Sequence, residues 1–357
     1  MPSYLPCTAL LQHRQELCTS IGKRVRERIA RKKGWPLLSY ERREFPEWSW
    51  SESRRRMLVA CPRRYYYHYY AAHNGWEYDA PPLARQAYRL KNLTNLHSAF
   101  GEALHRTAVD VVHQTHSNGV VPTARIVTDA IRNQLNEIYR GAHHDRQKWE
   151  KSPKRHPMLH EVYYGYGPSQ TLIEAIKKKI EVCVPALLES RSLQEIRQPE
   201  TQLTKVDSLD HFYLLDTKIY AVPDLLYRRS DGIWILVDWK TGDEDPADTN
   251  QLRVYALYAR NRHSVLSHEL ICRLEYLYRN EFQELTFSAD DLRNTERDIA
   301  RSIAAMRSLL VDAVENRPQA IDAFPMRPGE ITCQRCNFYE LCRPELERAG
   351  FLQSQIS

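Results

Sequence analysis

The sequence predicts a mixed α/β fold, in which a helical region is followed by a small sheet flanked by helices. Residues 94 to 190 carry a helical pattern, whereas short runs of β-type residues begin after Glu200. Among those runs, Asp231 and Gly232 form a tight-turn signal of the kind that joins two antiparallel strands. The chain has 357 residues, which is enough for one elaborated domain or two small ones.

The composition limits the class of protein. A net charge of +6 suits a nucleic-acid partner without requiring one. No apolar run approaches the ~20 residues needed to cross a membrane, and residues 1–4 lack a signal-peptide pattern. We therefore expect an intracellular, cytoplasmic protein whose eight cysteines are not a disulfide set. The sequence also contains no G-x-x-x-x-G-K-[ST] phosphate loop, which excludes an ATP-driven helicase of that type.

The N-terminal region is rich in basic and aromatic side chains. Seven basic residues lie between Lys23 and Lys33, as on a solvated helix face or a surface that contacts the DNA backbone. Ser51 is expected to cap a helix that runs toward Cys61. Five tyrosines between residues 65 and 70 could stack on bases, but packing within the protein is the favoured interpretation.

The predicted elements then follow in chain order. Three helices separated by polar loops are predicted at Leu96–Val112, Ala124–Tyr139 and Thr171–Leu188. Three strands are predicted at Phe212–Leu215, Lys218–Tyr227 and Ile233–Trp239. A helix with proline in its first turn is predicted at Pro246–Arg262. Two strands follow at Ile271–Tyr278 and Glu284–Phe287, and a long helix is predicted at Ala289–Glu315.

A carboxylate and an ammonium group stand two residues apart in Asp238-Trp239-Lys240, at the end of an apolar run. Alternate residues of a strand point to the same face, so Asp238 and Lys240 are expected side by side. Asp224 is expected on the neighbouring strand, where it can converge with Asp238 on one Mg²⁺ or Mn²⁺ ion. Lys240 would then place a cation near a reacting phosphate. The alternative is two strand-end aspartates and a surface lysine.

A group of cysteines near the C-terminus has the spacing of a metal or cluster site. Cys333, Cys336 and Cys342 form a C-x₂-C-x₅-C pattern, which supplies three thiolates. A fourth ligand must come from elsewhere, and Cys61, followed by Pro-Arg-Arg-Tyr, is the obvious candidate. Four thiolates suit zinc and an iron–sulfur cluster equally by count, so the spacing leaves both open.

From about Ser51 to Pro344, these motifs resemble the PD-(D/E)XK nucleases of the RecB/AddB type. The resemblance implies that His105, in a G-x-x-x-H segment, is a metal ligand together with Asp224 and Asp238. His97, eight residues earlier, is a weaker competitor for that role.

The resemblance also extends to a helix after the lysine strand and to the cysteines. Gln251 and Tyr255 match the family's Q-x-x-x-Y helix and share one helix face, although a surface glutamine and a packing tyrosine remain the alternative. AddB-type and CRISPR-associated RecB-like exonucleases hold a 4Fe–4S cluster with the same cysteine pattern. The resemblance therefore implies such a cluster at four residues: Cys61, Cys333, Cys336 and Cys342.

We expect a PD-(D/E)XK, restriction-endonuclease-like α/β core with a helical insert and an iron–sulfur clasp. The expected organisation has four parts: a basic and aromatic region with the first cluster ligand (1–95), a helical region with the motif histidine (96–195), the nuclease core (196–325) and the cysteine tail (326–357). In the catalytic set implied by the resemblance, Lys240 orients water, and Gln251 and Tyr255 assist it.

The expected activity is metal-dependent DNA cleavage, exonucleolytic and directed at single-stranded or unwound ends. DNA repair, recombination, CRISPR systems and other antiviral defence are the expected settings, with a helicase or integrase on another chain as a possible partner and no membrane. Two alternatives stay open: a non-catalytic DNA-end-binding or scaffold protein, and a zinc-stapled nuclease that acts on RNA.

Overall fold

The structure is a computed structural model that describes residues 42–351. From Phe45 onward the chain belongs to one compact unit. The basic run between Lys23 and Lys33 lies outside the described residues. No helix in the described part of the chain is long and apolar enough to cross a bilayer.

The first elements pack the tyrosine cluster inside the protein. Ser51 caps the first helix by accepting a hydrogen bond from the backbone N–H of Arg54 at 3.1 Å, as predicted. Tyr65, Tyr67 and Tyr70 are buried, and Tyr65 stacks on Phe324 from the far end of the chain. The packing interpretation of these rings is confirmed. The helices of this region are α1 (Glu52–Ala60), α2 (Pro62–Tyr66), a π-helical turn (Tyr67–Ala71) and α3 (Pro82–Lys91).

A helical region follows and confirms the three predicted helices. Its longest helix continues past Val112 to Asn118, where Gly119 ends it in the left-handed conformation (φ 70°). The helices are α4 (Leu96–Asn118), α5 (Ala124–His144), α6 (Arg146–Lys151), α7 (His160–Tyr163), α8 (Gln170–Leu188) and α9 (Arg191–Ile196). Two short strands, β1 (Leu93–Thr94) and β2 (Met158–Leu159), pair in parallel across this region.

The central sheet has five strands in the order β3-β6-β7-β8-β9. Its strands are β3 (Gln202–Val206), β6 (Leu225–Arg228), β7 (Trp234–Lys240), β8 (Leu270–Tyr276) and β9 (Glu281–Leu285). Strands β6 and β7 form the antiparallel hairpin predicted from Asp231 and Gly232. Strands β7 and β8 are parallel, and α10 (Pro246–His263) connects them.

Three predicted boundaries were wrong, and one of them is the strand predicted at Glu284–Phe287, which is observed at Glu281–Leu285. The predicted strand Lys218–Tyr227 is broken around Pro223, which has no N–H for a ladder. Its first part, β5 (Thr217–Ala221), pairs with β4 (Asp210–Leu214) in a separate ribbon, whereas its second part is β6. The long final helix, α11 (Ala289–Arg307), stops short of Glu315, because Leu310 is buried in a short ladder instead. The remaining elements are β10 (Leu310–Asp312), β11 (Arg317–Pro318), α12 (Glu330–Gln334) and α13 (Tyr339–Arg348).

The sheet separates two hydrophobic cores. Ile235, Val237 and Trp239 point to the core shared with the helical region. Leu236 points to the other core, in which α10 and α11 pack. Because side chains alternate along a strand, Asp238 lies on the same face as Leu236, at the end of β7 toward α10.

Candidate active site

Three of the predicted site residues are brought together by the β6–β7 hairpin. Leu225 pairs with Val237 in the antiparallel register, so Asp224 lies just before β6, beside Asp238. Both carboxylates are buried, with 5% and 4% of their surface exposed. Lys240, two residues beyond Asp238, enters the same cleft.

Asp224 receives hydrogen bonds from two distant parts of the chain. Its Oδ2 accepts from the backbone N–H of Trp239 at 2.6 Å, and its Oδ1 lies 2.8 Å from Nδ1 of His105 on α4. Burial alone would lower the pKa of His105, but the carboxylates of Asp224, Asp238 and Asp207 outweigh it and raise this pKa to about 9. His105 thus lies in the cleft beside Asp224, and the surrounding carboxylates favour its protonated form.

Asp238 and Lys240 form a close pair inside the cleft. Lys240 Nζ lies 2.6 Å from Asp238 Oδ2, so the ammonium group and this buried carboxylate form an ion pair. Burial raises the pKa of Asp238 to about 6, although Lys240 opposes that rise. Burial would lower the pKa of Lys240, but Asp238 and Asp248 more than offset it and raise that pKa.

The predicted helix residues Gln251 and Tyr255 form a relay behind Lys240. Gln251 Oε1 accepts from Lys240 Nζ at 2.9 Å, and Gln251 Nε2 donates to the hydroxyl of Tyr255 at 2.6 Å. Burial raises the pKa of Tyr255 well above its usual value, so its hydroxyl stays neutral. The relay fixes the lysine on the face it shares with Asp238.

The cleft has a volume of about 430 Å³ and contains acidic residues that the sequence motifs missed. Asp248 Oδ1 lies 3.4 Å from Lys240 Nζ, and its Oδ2 accepts from the Tyr276 hydroxyl at 3.3 Å. Its position three residues before Gln251, on the same helix face, was a usable signal. Asp207, which follows β3 and does not line the cleft, had no such signal; burial and then the charge of Asp224 raise the pKa of Asp207. His97 lies outside this cleft, exposed on the first turn of α4.

A buried glutamate supports the strand that carries the site. Trp239 Nε1 donates to Glu275 Oε2 at 2.6 Å, and the two residues are register partners on β7 and β8. Glu275 Oε1 accepts from the backbone N–H and the hydroxyl of Ser192, at 2.9 and 2.8 Å. Glu275 thereby links the middle residue of the D-x-K segment to the start of α9.

The oxygen donors in the cleft suit a hard divalent cation. Among the described residues, no three His, Cys, Asp or Glu side chains are gathered as they would be around an ion. In the cleft these side chains are paired with one another, His105 with Asp224 and Lys240 with Asp238. The two buried carboxylates of Asp224 and Asp238, side by side, offer the kind of oxygen donors that Mg²⁺ and Mn²⁺ take once Lys240 releases Asp238 Oδ2.

The four predicted cluster cysteines come from both ends of the described chain. Burial raises the pKa of the Cys342 thiol to about 12, and Cys336, Cys61 and Cys333 all add to this rise. Cys342 is therefore within electrostatic reach of the other three, although among the described residues no three of these thiols are gathered as they would be around an ion. All four are free thiols.

Protein contacts join the same two chain regions. Arg63, two residues after Cys61, donates from Nε to the carbonyl of Phe324 at 2.8 Å and pairs with Glu345 at 2.7 Å. Farther along, the hydroxyl of Tyr164 donates to the carbonyl of Asn337 at 2.8 Å. The tail thus packs onto both the first helices and the helical region.

Comparison with known proteins gives a family match. The model of the PD-(D/E)XK nuclease superfamily matches residues 49–343. Among solved structures, that of SSO0001 is similar at 17% identity with a TM-score of 0.26, over 59% of this chain and 85% of that chain. No curated protein matches the chain.

Proposed function

The chain belongs to the PD-(D/E)XK nuclease superfamily, and on that premise we propose that it is a Mg²⁺- or Mn²⁺-dependent deoxyribonuclease. The observation that carries the proposal is the buried cleft in which Asp224, Asp238 and Lys240 meet. Such a set supports hydrolysis of a phosphodiester, because it offers oxygen ligands for a cation and a fixed positive charge beside them.

Asp224, Asp238 and His105 are the residues that would hold the metal ion. The ion, when bound, supplies Lewis-acid stabilisation of the charge that develops on the phosphate. To ligate it, His105 must lose the proton that it shares with Asp224, and Lys240 must move away from Asp238 Oδ2.

Lys240 supplies the protein's own cation for the reaction. Its ammonium group remains charged, since the surrounding carboxylates raise its pKa. Gln251 accepts one of its three N–H bonds; the N–H bonds now directed at Asp238 would serve the attacking water or a phosphate oxygen once Lys240 has moved away from that carboxylate. Tyr255 fixes the amide of Gln251 and thereby sets the direction of Lys240.

The substrate is the end of a single strand or of unwound DNA. The exonucleolytic mode rests on the resemblance to RecB-like exonucleases. The preference for single-stranded or unwound ends rests on the same family resemblance. Repair, recombination or CRISPR-type defence would provide such ends, with a helicase or integrase as the partner that unwinds or uses them.

We also propose a 4Fe–4S cluster bound by the four thiols of Cys61, Cys333, Cys336 and Cys342. The electrostatic influence of the other three cysteines on Cys336 and Cys342, and the half-buried position of all four, support a shared site, and thiolates are the ligands of such clusters. The cluster would clasp the C-terminal tail to the start of α2. A zinc ion held by the same thiolates is the alternative, and metal analysis separates the two.

The test is digestion of end-labelled single-stranded DNA, duplex DNA and RNA by the full chain, purified anaerobically, with Mg²⁺, Mn²⁺ or a chelator. We expect cleavage of single-stranded DNA that needs the metal and releases short products from an end. Asp238→Asn should reduce turnover at least ~100-fold while DNA binding persists. Asp231→Asn, in the exposed β6–β7 turn, is the matched control and should stay active.

Each alternative has its own outcome in that experiment. Binding of DNA ends without cleavage under any metal would support the non-catalytic end-binding protein. Preferential cleavage of RNA by a protein that contains zinc and no iron would support the RNA nuclease. Equal turnover of Asp238→Asn and the unmodified chain would remove the cleft from the reaction.

A further inference from the structure

A second and larger groove lies on the other side of the helix that carries His105. It has a volume of about 990 Å³ and is bounded by α4, α5 and the segment of residues 153–157. Its size exceeds that of the active-site cleft more than twofold. The sequence motifs and the family resemblance left the helical insert that forms it without a function.

The groove is lined by hydrogen-bond donors and by cations without partners. Arg140, Lys154 and Arg155 are exposed, and none of them forms an ion pair with another described residue. Side-chain amides on α5 contribute further donors, at Asn133 and Asn136.

The acidic residues of the groove are largely neutralised. Glu102 pairs with Arg106 at 2.7 Å, and Asp145 pairs with Lys148 at 3.0 Å. Glu137 is the remaining carboxylate of the lining, against the three unpaired cations. The groove therefore presents excess positive charge together with amide donors, which is the chemistry that binds phosphate and sugar oxygens.

Helix α4 connects the groove to the active site. His105 lines the cleft, and its chain neighbour Arg106 lines the groove, as does Glu102 one turn earlier. Gly101 lies next to Thr241 of the loop that follows Lys240; a Cβ atom added at Gly101 would lie 3.5 Å from the threonine hydroxyl oxygen. A polyanion in the groove would thus lie one helix width from the carboxylates that hold the metal.

We propose that this groove binds the sugar–phosphate backbone of a single DNA strand whose scissile phosphate lies in the active-site cleft. The inference rests on the proposed nuclease function and gives the helical insert a role in it. Its volume is at the upper end of the ~300–1,000 Å³ range of small-molecule pockets, so it accommodates a few nucleotides of one strand. Guanidinium, ammonium and amide donors bind backbone oxygens whatever the base, so binding there is independent of sequence.

The test is binding of a labelled single strand of about 40 nucleotides over a range of salt, with a chelator present to prevent cleavage. The double variant Arg140→Glu/Arg155→Glu should bind the strand at least ~10-fold more weakly at about 100 mM salt. The slope of the logarithm of the binding constant against the logarithm of the salt concentration should fall in magnitude by ~1.4, because two phosphate contacts are lost. The matched control is Lys177→Glu/Lys178→Glu on α8, which makes the same charge change at exposed lysines outside the groove.

Cleavage of a dinucleotide in the presence of Mn²⁺ distinguishes a failure of the groove proposal from a failure of the proposed nuclease function on which it rests. The groove variant should cut the dinucleotide at the rate of the unmodified chain and the long strand more slowly. If it binds and cuts the long strand as the control does, the groove proposal is overturned while the nuclease stands. If the unmodified chain cuts neither substrate, the proposed function is overturned. If the groove variant loses more affinity for duplex DNA, or for RNA of the same sequence, than for the single DNA strand, the single-stranded DNA assignment is overturned.

Discussion

Trp239, the middle residue of the D-x-K segment, joins the site to its support. Its backbone N–H holds Asp224, and its indole N–H is held by Glu275. The ring also lies 6.5 Å from that of His105, centroid to centroid. A substitution at Glu275 should therefore disturb two proposed metal ligands, Asp224 and His105, although Glu275 itself lies outside the cleft.

Glu275→Gln tests this support. One amide oxygen replaces two carboxylate oxygens, so the donors of Trp239 and Ser192 can no longer all be satisfied. We expect the free energy of unfolding to fall by ~1–3 kcal/mol and the turnover with Mn²⁺ to fall ~10–100-fold. The measurements are urea unfolding and the dependence of kcat on metal concentration.

Glu281→Gln, on the exposed part of β9, is the control and should change neither quantity. In a double-mutant cycle with Trp239→Phe, coupling of ~0.5–3 kcal/mol is expected for residues in contact. A Glu275→Gln protein that is less stable but keeps its turnover and metal dependence would restrict Glu275 to a structural role.

The pairing of His105 with Asp224 predicts how metal affinity depends on pH. The raised pKa of His105, about 9, keeps it protonated at neutral pH, and the raised pKa of Asp238, about 6, keeps that group partly protonated under mild acid. Metal binding must remove both protons, so affinity for Mn²⁺ should rise as pH increases from about 6 to about 9. Calorimetry in buffers of different ionisation enthalpy measures the protons released.

His105→Gln should release ~1 proton fewer per ion at neutral pH, because no imidazolium has to be deprotonated. His97→Gln changes an exposed histidine of the same helix and should behave like the unmodified chain. Affinity that is the same at pH 6 and pH 9 would contradict the assignment of His105 as a ligand.

At the scale of elements, α9 is attached to the sheet through one buried cation on β8. The side chain of Arg273 is 0% exposed and bonds Glu195 of α9 at 3.0 and 3.1 Å and Glu284 of β9 at 2.8 and 3.0 Å. It also donates to the hydroxyls of Tyr227 and Ser192, both at 3.0 Å. The helical region and the nuclease sheet are thus joined just beneath Trp239.

Arg273→Met should destabilise the protein by ~3–5 kcal/mol, since buried carboxylates would lose their cation. Burial opposes ionisation of Glu195, but Arg273 and Tyr227 outweigh it and lower its pKa below the ordinary 4.5. The stabilisation of ionised Glu195 by Arg273 is fully present above the pKa that Glu195 has in the unfolded chain. It is lost as the pH falls through the lower pKa of Glu195 in the folded protein. The penalty of the variant should therefore shrink below about pH 4.5, where protonation removes the unpaired charge.

Urea unfolding at pH 7 and pH 4 measures this difference. Arg191→Met removes a partly exposed partner of Glu195, at 3.2 Å, and should cost under ~1 kcal/mol. An Arg273→Met protein as stable as that control would show that the buried network contributes little to the attachment of α9.

At the scale of the whole molecule, the proposed cluster would close the longest loop in the described chain. Cys61 and Cys333 stand far apart in sequence, and the contacts of Arg63 with Phe324 and Glu345 already bring their surroundings together. A cross-link over so long a loop restricts the unfolded chain by several kcal/mol, about 5–6 by the loop-entropy estimate. The division into regions 1–95, 96–195, 196–325 and 326–357 stays a prediction.

Cys61→Ala should yield colourless protein that lacks iron, unfolds at lower temperature throughout and is readily digested by proteases. The unmodified chain, purified anaerobically, should be brown. Cys183→Ala removes a buried thiol outside the site and should retain iron and colour. The measurements are iron content, visible absorption and thermal unfolding; a stable, fully active, iron-free Cys61→Ala protein would contradict the clasp.

The sequence by itself determined the features that depend on neighbours along the chain. The β6–β7 turn at Asp231 and Gly232, the cap at Ser51, the shared face of Asp238 and Lys240, and the i, i+4 pair of Gln251 and Tyr255 all follow from strand and helix periods. The family resemblance added His105, whose place on a helix carried no local signal for a metal.

Only the tertiary structure decided which distant residues meet. The contact of His105 with Asp224 spans 119 positions, and that of Glu275 with Trp239 depends on the register of two parallel strands. The break at Pro223 likewise depends on which strand each half pairs with. Local periods set spacings of two to four residues, whereas long-range pairing is set by the sum of many weak contacts over the whole core, which no single motif records.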